Sequence, residues 1–286
     1  MQFSSILLQN SLFPDQLREI PSVPKELFVL GELPSGPAIA IVGSRKPTNY
    51  GREITYQLAY ELAQAGVVII SGLALGLDAV AHQAAIDAGG KTVAVLAHGL
   101  DQIYPTSNRN LALKILKTGG ALVSDYPVKT PSLPQNFAAR NRIISGLSLG
   151  VLVTEAASSS GSLITANFAL DQNRVVMAVP GNITSLASAG PNNLIRSGAV
   201  PVTSASDILA AIGYETTDAT AKPPKAESKE EALIITLLGE GVNSSQNLIE
   251  KSELSASKFA QVISLMEITG KVRSLGAGNW TTIKRK

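Results

Sequence analysis

Gly43-Ser44-Arg45 follows the apolar run AIAIV at 38–42. Each residue type there suits phosphate. Glycine lets backbone approach an anion, serine offers a hydroxyl, and arginine supplies a bidentate fork. Three more segments share this character. Gly72-Leu73-Ala74-Leu75-Gly76-Leu77-Asp78 and Ser158-Ser159-Ser160-Gly161-Ser162 each lead into a helical pattern, and Gly190-Pro191-Asn192-Asn193 precedes another. Free N–H groups at helix starts bind anions. Any one of these is also a glycine-permitted turn with a capping serine. Several at one sheet edge, one with an arginine, favour an anion site.

The stretch PQNFAARNRIISGLS (134–148) adds chemistry of another kind. Arginines grip phosphates, asparagine reaches bases or sugars, and an aromatic ring offers a platform for an unpaired base. Here Arg140 and Arg142 flank Asn141, with Phe137 three residues upstream. Helical periodicity begins at about Arg140, which sets the arginine pair at a helix N-terminus. There it opposes the macrodipole, so helix stability is no reason for it. The bland alternative is an exposed basic helix start beside a core Phe137.

Other polar residues carry weaker signals. His82 lies on an alanine-rich helix and reads as a core or capping histidine. His98, beside Asp101, has no nucleophile near it in sequence. Asp78, Asp101, Asp125 and Glu155 fall at strand ends. They suit metal or acid–base work, but such carboxylates more often cap helices or pair with arginines.

The elements that position these residues alternate. Strand patterns at 38–42, 67–71, 92–97, 121–124, 150–155 and 174–179 are separated by helical patterns at 50–65, to 88, 108–117, 140–147 and 162–171. Residues 200–202 and 207–212 close the series. Strand–helix alternation predicts an α/β fold with a doubly wound, mostly parallel sheet, whose carboxyl-edge loops form the ligand site. Residues 1–35, broken by Pro14, Pro21, Pro24 and Pro34, read as a lead-in packing on a 36–213 domain. A polar stretch at 214–228 reads as a linker. Helical patterns at 231–238, 244–252 and 258–269, then a hairpin pattern, predict a small winged-helix-like domain at 229–286. Its wing gathers Lys271, Arg273, Lys284, Arg285 and Lys286.

Composition excludes several classes. The chain has 286 residues, 45% of them hydrophobic and 5% aromatic, which suits buried parallel strands of small aliphatics. With no cysteine, disulfides, thiolate nucleophiles and cysteine–zinc sites are excluded, and two histidines are too few for most metal sites. A net charge of +2 proves no nucleic-acid partner by itself. No apolar run reaches the ~18 residues of a membrane span, and the N-terminus lacks a signal-peptide pattern. The expected compartment is the cytoplasm.

In order, the chain carries AIVGSR, SGLALGLDAVAHQAA, AVLAHGLDQIYPTSN, LVSDYP, NFAARNRIISGLS, TEAASSSGSLITANFAL, VMAVPGN and NNLIRSGA. This series, spanning about 13–212, closely resembles the bacterial DNA-processing protein DprA (Smf) family. The resemblance implies an extended Rossmann-like fold, a homodimer, no cofactor, and a non-catalytic protein that binds incoming single-stranded DNA in natural transformation. It also implies loading of the recombinase RecA on that strand past single-strand-binding protein. Carried over, Arg45 matches the family's main DNA-contacting arginine, and Phe137, Arg140, Asn141 and Arg142 match its aromatic and basic positions. Asn108 and Arg109 match a polar–basic pair, and Ser160, Gly161 and Ser162 match the SGS turn. Leu75, Ala139 and Ser160 stand where many members have cations. The helical module that many members carry at the N-terminus is absent or truncated in this reading. Dimerisation is expected near Leu194, Ile195 and the apolar residues of 208–212.

A competing reading is an enzyme of the lonely-guy family, which cleaves the N-glycosidic bond of nucleoside monophosphates with a glutamate in GGxGTxxE. The nearest stretch here is SSSGSLIT, with Thr165 at the glutamate position. A hydroxyl cannot do that acid–base work at neutral pH. A dinucleotide oxidoreductase would need G-x-G-x-x-G after the first strand, which is missing.

Overall fold

The computed structural model describes residues 4–7, 9–214, 226–239, 242, 244–252, 254–276 and 279–282. It divides into two compact units, Met1–Glu215 and Thr216–Lys286.

Unit one is built on a nine-stranded sheet of order β1-β2-β6-β5-β4-β3-β7-β8-β9. Its strands are β1 (Ser4–Leu7), β2 (Glu26–Gly31), β3 (Ala38–Val42), β4 (Val68–Ser71), β5 (Thr92–Val95), β6 (Ala121–Ser124), β7 (Gly150–Val153), β8 (Val175–Ala178) and β9 (Val200–Pro201). From β6 to β9 every pairing is parallel, and β1 and β2 add antiparallel strands at the β6 edge. The lead-in is therefore part of the sheet. Phe13, Leu17 and Ile20 plug it into the main core.

Helices cover both faces. On one lie α1 (Asp15–Arg18), α5 (Pro134–Gly146), α6 (Ser162–Asp171) and α7 (Ala189–Arg196). On the other lie α2 (Asn49–Gln64), α3 (Leu77–Asp87), α4 (Arg109–Lys117) and α8 (Ala205–Ala211). Strand β3 shows why the sheet is apolar throughout. Ala38, Ala40 and Val42 pack toward α5 and α6, while Ile39 and Ile41 pack toward α2 and α3. A strand buried on both faces must be continuously apolar.

Several expectations shift. Helix α5 begins at Pro134, so Arg140 and Arg142 lie in its middle and the macrodipole argument does not apply to them. Proline at N1 starts the helix where no internal N–H bond is needed. Ile208 and Leu209 pack inside the subunit against α2, so they offer no exposed apolar surface; Leu194 and Ile195 are half-buried.

Unit two contains α9 (Lys229–Gly239), α10 (Ser245–Ser252), α11 (Ala256–Ile268) and the antiparallel hairpin of β10 (Val272–Gly276) and β11 (Asn279–Thr282). Ser255 caps α11 by accepting from the Lys258 N–H at 3.2 Å. Ile234, Leu248, Phe259, Ile263, Met266 and Val272 form its core. Lys271 is no free wing cation: its Nζ meets Glu231 at 2.9 Å and Glu227 at 3.1 Å. Arg273 lies on β10, and Lys284, Arg285 and Lys286 lie outside the described residues, as does most of the expected linker.

Candidate nucleic-acid interface

Sheet order fixes where a ligand fits. From β3 the chain winds outward through β4, β5 and β6, then returns to the other side of β3 as β7. The loops after β3 and β7 therefore diverge, leaving a crevice at the carboxyl edge of the sheet. A cavity of about 550 Å³ lies there, lined by Gly43–Lys46, the first half of α5 and the 157–162 turn.

The loop carrying Arg45 is held from three sides. Glu155, at the end of β7, accepts from the Thr48 hydroxyl at 2.6 Å and the Thr48 N–H at 2.9 Å. Its backbone carbonyl accepts from the Ser44 N–H at 2.7 Å. The Leu77 N–H donates to the Ser44 carbonyl at 3.1 Å. Gly76 makes this last approach possible: φ is +84°, and a Cβ there would sit 2.2 Å from the Ser44 oxygen. With its backbone fixed, exposed Arg45 sets its guanidinium carbon 5.6 Å from the Phe137 ring centroid. Tyr104, 51% exposed, tilts against the same ring at 5.8 Å. Lys46, also exposed, lines the cavity beside Arg45. Two cations at an aromatic rim can hold a phosphodiester and stack a base.

Arg140 works differently from the sequence expectation. Helix α5 crosses from β6 back to β7, over the ends of β4 and β5. The Arg140 guanidinium is only 3% exposed and donates to the Val95 carbonyl and, at 3.0 Å, to the Gly72 carbonyl. Burial pulls its pKa down to about 10, opposed by the Asp78 carboxylate. Asp78 accepts from the Gly72 N–H at 3.1 Å and the Ala74 N–H at 3.3 Å. Its pKa is raised by burial, with Arg140 acting against that. The Gly72 and Ala74 amides are thus spent on Asp78, and the Leu77 amide on Ser44, so these three are not offered to an anion. Arg140 floors the cavity as a buried cation and splints α5 to the sheet.

Neighbouring residues are committed in similar ways. Asn141 accepts from Arg140 Nε at 3.3 Å and donates to the Gly161 carbonyl at 3.3 Å, joining α5 to the serine turn. Arg142 turns away from the cavity and pairs with Asp125 at 2.5 Å. The Ser160 and Ser162 hydroxyls lie 2.8 Å apart. The Ser162, Leu163 and Ile164 N–H groups bond back to Ser160 and Gly161, so the start of α6 is capped from within. Ser160, Gly161 and Ser162 still line the wall facing Phe137.

The remaining candidates lie elsewhere. Asn108 donates to the Leu73 and Ala74 carbonyls at 2.9 and 3.1 Å, and Arg109 is exposed at the start of α4 outside the cavity. Asn192 clasps Gly181 through both amide atoms, and neither it nor Asn193 lines the cavity. His82 is a core residue, as expected: Nδ1 lies 2.7 Å from the Thr92 hydroxyl, and burial holds its pKa down to about 3. Asp101 accepts from the Lys129 N–H at 2.8 Å. All four carboxylates singled out by sequence thus serve as local acceptors or ion pairs. Sequence reading missed Lys46 and Tyr104 as rim residues. The GSRK and YP strings held the signal, but only the fold sets Tyr104 against Phe137 and Lys46 on the same cavity.

The family model described as DNA recombination-mediator protein A matches residues 4–213. The chain belongs to that family. A model described as the DprA winged helix domain matches residues 218–278, which identifies unit two. Among relatives, Protein Smf of Escherichia coli is 48% identical over 70% of this chain and 54% of its own length. DNA processing protein DprA of Bacillus subtilis is 43% identical over 72% of this chain and 70% of its own. The chain thus spans about half the length of the E. coli relative. The crystal structure of the Streptococcus pneumoniae protein aligns with TM-score 0.67 and 39% identity, over 73% of this chain and 74% of that one. A structure described for the single-stranded DNA binding mode of the Helicobacter pylori protein aligns with TM-score 0.67 and 30% identity, covering 75% and 98%. The extended Rossmann-like fold implied by the resemblance is the fold these DprA structures share.

Proposed function

We propose that this chain binds single-stranded DNA, with little sequence preference, at the carboxyl-edge cavity. The observation that carries this is the exposed Arg45 guanidinium seated over Phe137, with Lys46 and Tyr104 on the same rim. A phosphate-gripping cation beside a stacking ring matches an unpaired strand, whose bases are free to leave their neighbours. The H. pylori relative, described as a single-stranded DNA binder, supports the reading. In this view the protein is non-catalytic. Thr165, at the position where the lonely-guy glutamate would act, carries only a hydroxyl. The protein protects incoming DNA during transformation and loads RecA on it past single-strand-binding protein, acting as a homodimer in the cytoplasm. Two copies would engage one strand together and raise affinity through effective concentration. Among the described residues no helix is long and apolar enough to cross a membrane.

The test is fluorescence anisotropy with labelled single strands and blunt duplex across a salt series. Tighter single-strand binding that falls steeply with salt is expected. Equal or tighter duplex binding at every salt concentration overturns the reading.

A further inference from the structure

Arg45 borders a second hollow besides the crevice. A groove of about 560 Å³ runs between α2 and α3, lined by Arg45, Arg52, Tyr56, Leu75, Gln83 and Asn108 among others. We propose that this groove is a second nucleotide subsite, which takes the single strand onward from the Phe137 crevice across Arg45. The proposal rests on the single-strand reading above.

Three features make the groove fit a strand. First, Arg52 is exposed and makes no side-chain hydrogen bond or ion pair with any described residue, so its guanidinium is available to a phosphate. Second, Tyr56 is a fixed platform. Its hydroxyl donates to Asp87 at 2.9 Å, and its ring stacks on Tyr60 with centroids 6.0 Å apart and planes 19° off parallel. The residue remains 39% exposed along the groove. A ring already immobilised loses little freedom on stacking a base. Third, the groove repeats the pattern of the crevice, an arginine beside an aromatic ring, and shares Arg45 with it. Repeated pairs of cation and ring suit a polymer of phosphates and bases better than a single small anion.

The surroundings limit the path. Asp87 is occupied by Tyr56 and Gln83, from which it accepts at 2.9 and 2.6 Å. The next hollow shares Arg52 and Tyr56 with the groove and adds Glu53, Asn49 and Gln57. The Glu53 carboxylate offsets the Arg52 charge there, which makes that direction less favourable to a phosphate. Leu75, 49% exposed, stands at the rim between groove and solvent.

The experiment measures binding of oligothymidylates of about four and about sixteen nucleotides to the 286-residue chain, with melting temperature as a folding control. Arg52→Ala and Tyr56→Leu are expected to weaken the longer strand about tenfold while leaving the short one near wild type. Arg52→Lys and Tyr56→Phe are expected to retain most of the binding, since each keeps its charge or its ring. Arg45→Ala is expected to weaken both lengths. If Arg52→Ala and Tyr56→Leu bind the long strand normally while Arg45→Ala loses it, the second subsite is wrong and the crevice stands. If Arg45→Ala also binds both lengths normally, the single-strand reading itself fails. Equal loss of blunt-duplex binding in Arg52→Ala overturns the subsite by showing a general phosphate patch.

Discussion

Arg45 and Phe137 come from distant parts of the chain, yet the guanidinium carbon lies 5.6 Å from the ring centroid. The arginine sits on a loop pinned by Glu155 and Gly76, the ring on a helix splinted by Arg140. Two rigid supports converge on one exposed cation–aromatic pair and keep it organised.

Replacing Arg45 tests the rim directly. Arg45→Ala removes an exposed charge, so the melting temperature is expected to hold. Loss of one charge-assisted contact is worth about 1.5–3 kcal/mol, a tenfold to hundredfold weaker single strand. The slope of log affinity against log salt is expected to fall by about one. Titrations at four salt concentrations check both.

Arg140→Ala is expected to act on stability first. The variant leaves the Gly72 and Val95 carbonyls without their donor and Asp78 without its buried counter-charge. Removing one member of such a buried arrangement costs about 3–5 kcal/mol. Urea unfolding of unit one reads it, and a normal midpoint would assign Arg140 to the surface after all.

Gly76→Ala probes the contact between the 72–78 loop and the Arg45 loop. A Cβ would meet the Ser44 oxygen at 2.2 Å, and φ of +84° is unfavourable for alanine. The strain is of order 1–3 kcal/mol. Weaker single-strand binding with native far-UV circular dichroism is expected, since the loop moves and the sheet does not.

His82 sets an acid dependence. Burial, helped by the Arg140 charge, lowers its folded pKa from 6.5 to about 3. Between those values the unfolded chain binds a proton that the folded chain refuses. Stability therefore falls as pH drops from about 6.5, by up to ~1.4 kcal/mol per pH unit for this group. Burial raises the Asp78 pKa above 3.8, so that group works with the opposite sign, favouring the folded chain as pH falls toward 3.8. Comparing wild type with His82→Gln isolates the histidine, whose slope is expected to vanish in the variant.

In unit two, Lys271→Met is expected to lower the melting temperature by stranding Glu231, which the lysine pairs at 2.9 Å in the interior. Single-strand affinity of unit one is expected to stay near wild type. A calorimetric scan of the full chain, read beside a binding curve, separates the two effects.

Strand β3 and helix α2 were legible in the sequence because their periodicities are local. AIAIV must be buried on both faces, and Leu58 and Leu62 repeat at helical spacing. The glycines and serines of the turns, and Arg45 and Phe137 as chemistry, were legible for the same reason. The fate of each polar group was not. Arg140 and Arg142 are two residues apart in one motif, yet one is buried under the cavity and the other pairs with Asp125 outside it. A helix turns successive residues by about 100°, so neighbours in sequence face different surroundings. The 72–78 loop has the composition of an anion loop, but Asp78 takes its Gly72 and Ala74 amides, and Asn192 closes on Gly181. Sequence alone determined the α/β alternation, the winged-helix rhythm and the residue types available to phosphate. Tertiary structure decided which cations stay free, because a charge is either spent or offered according to what the folded chain brings within hydrogen-bond distance of it.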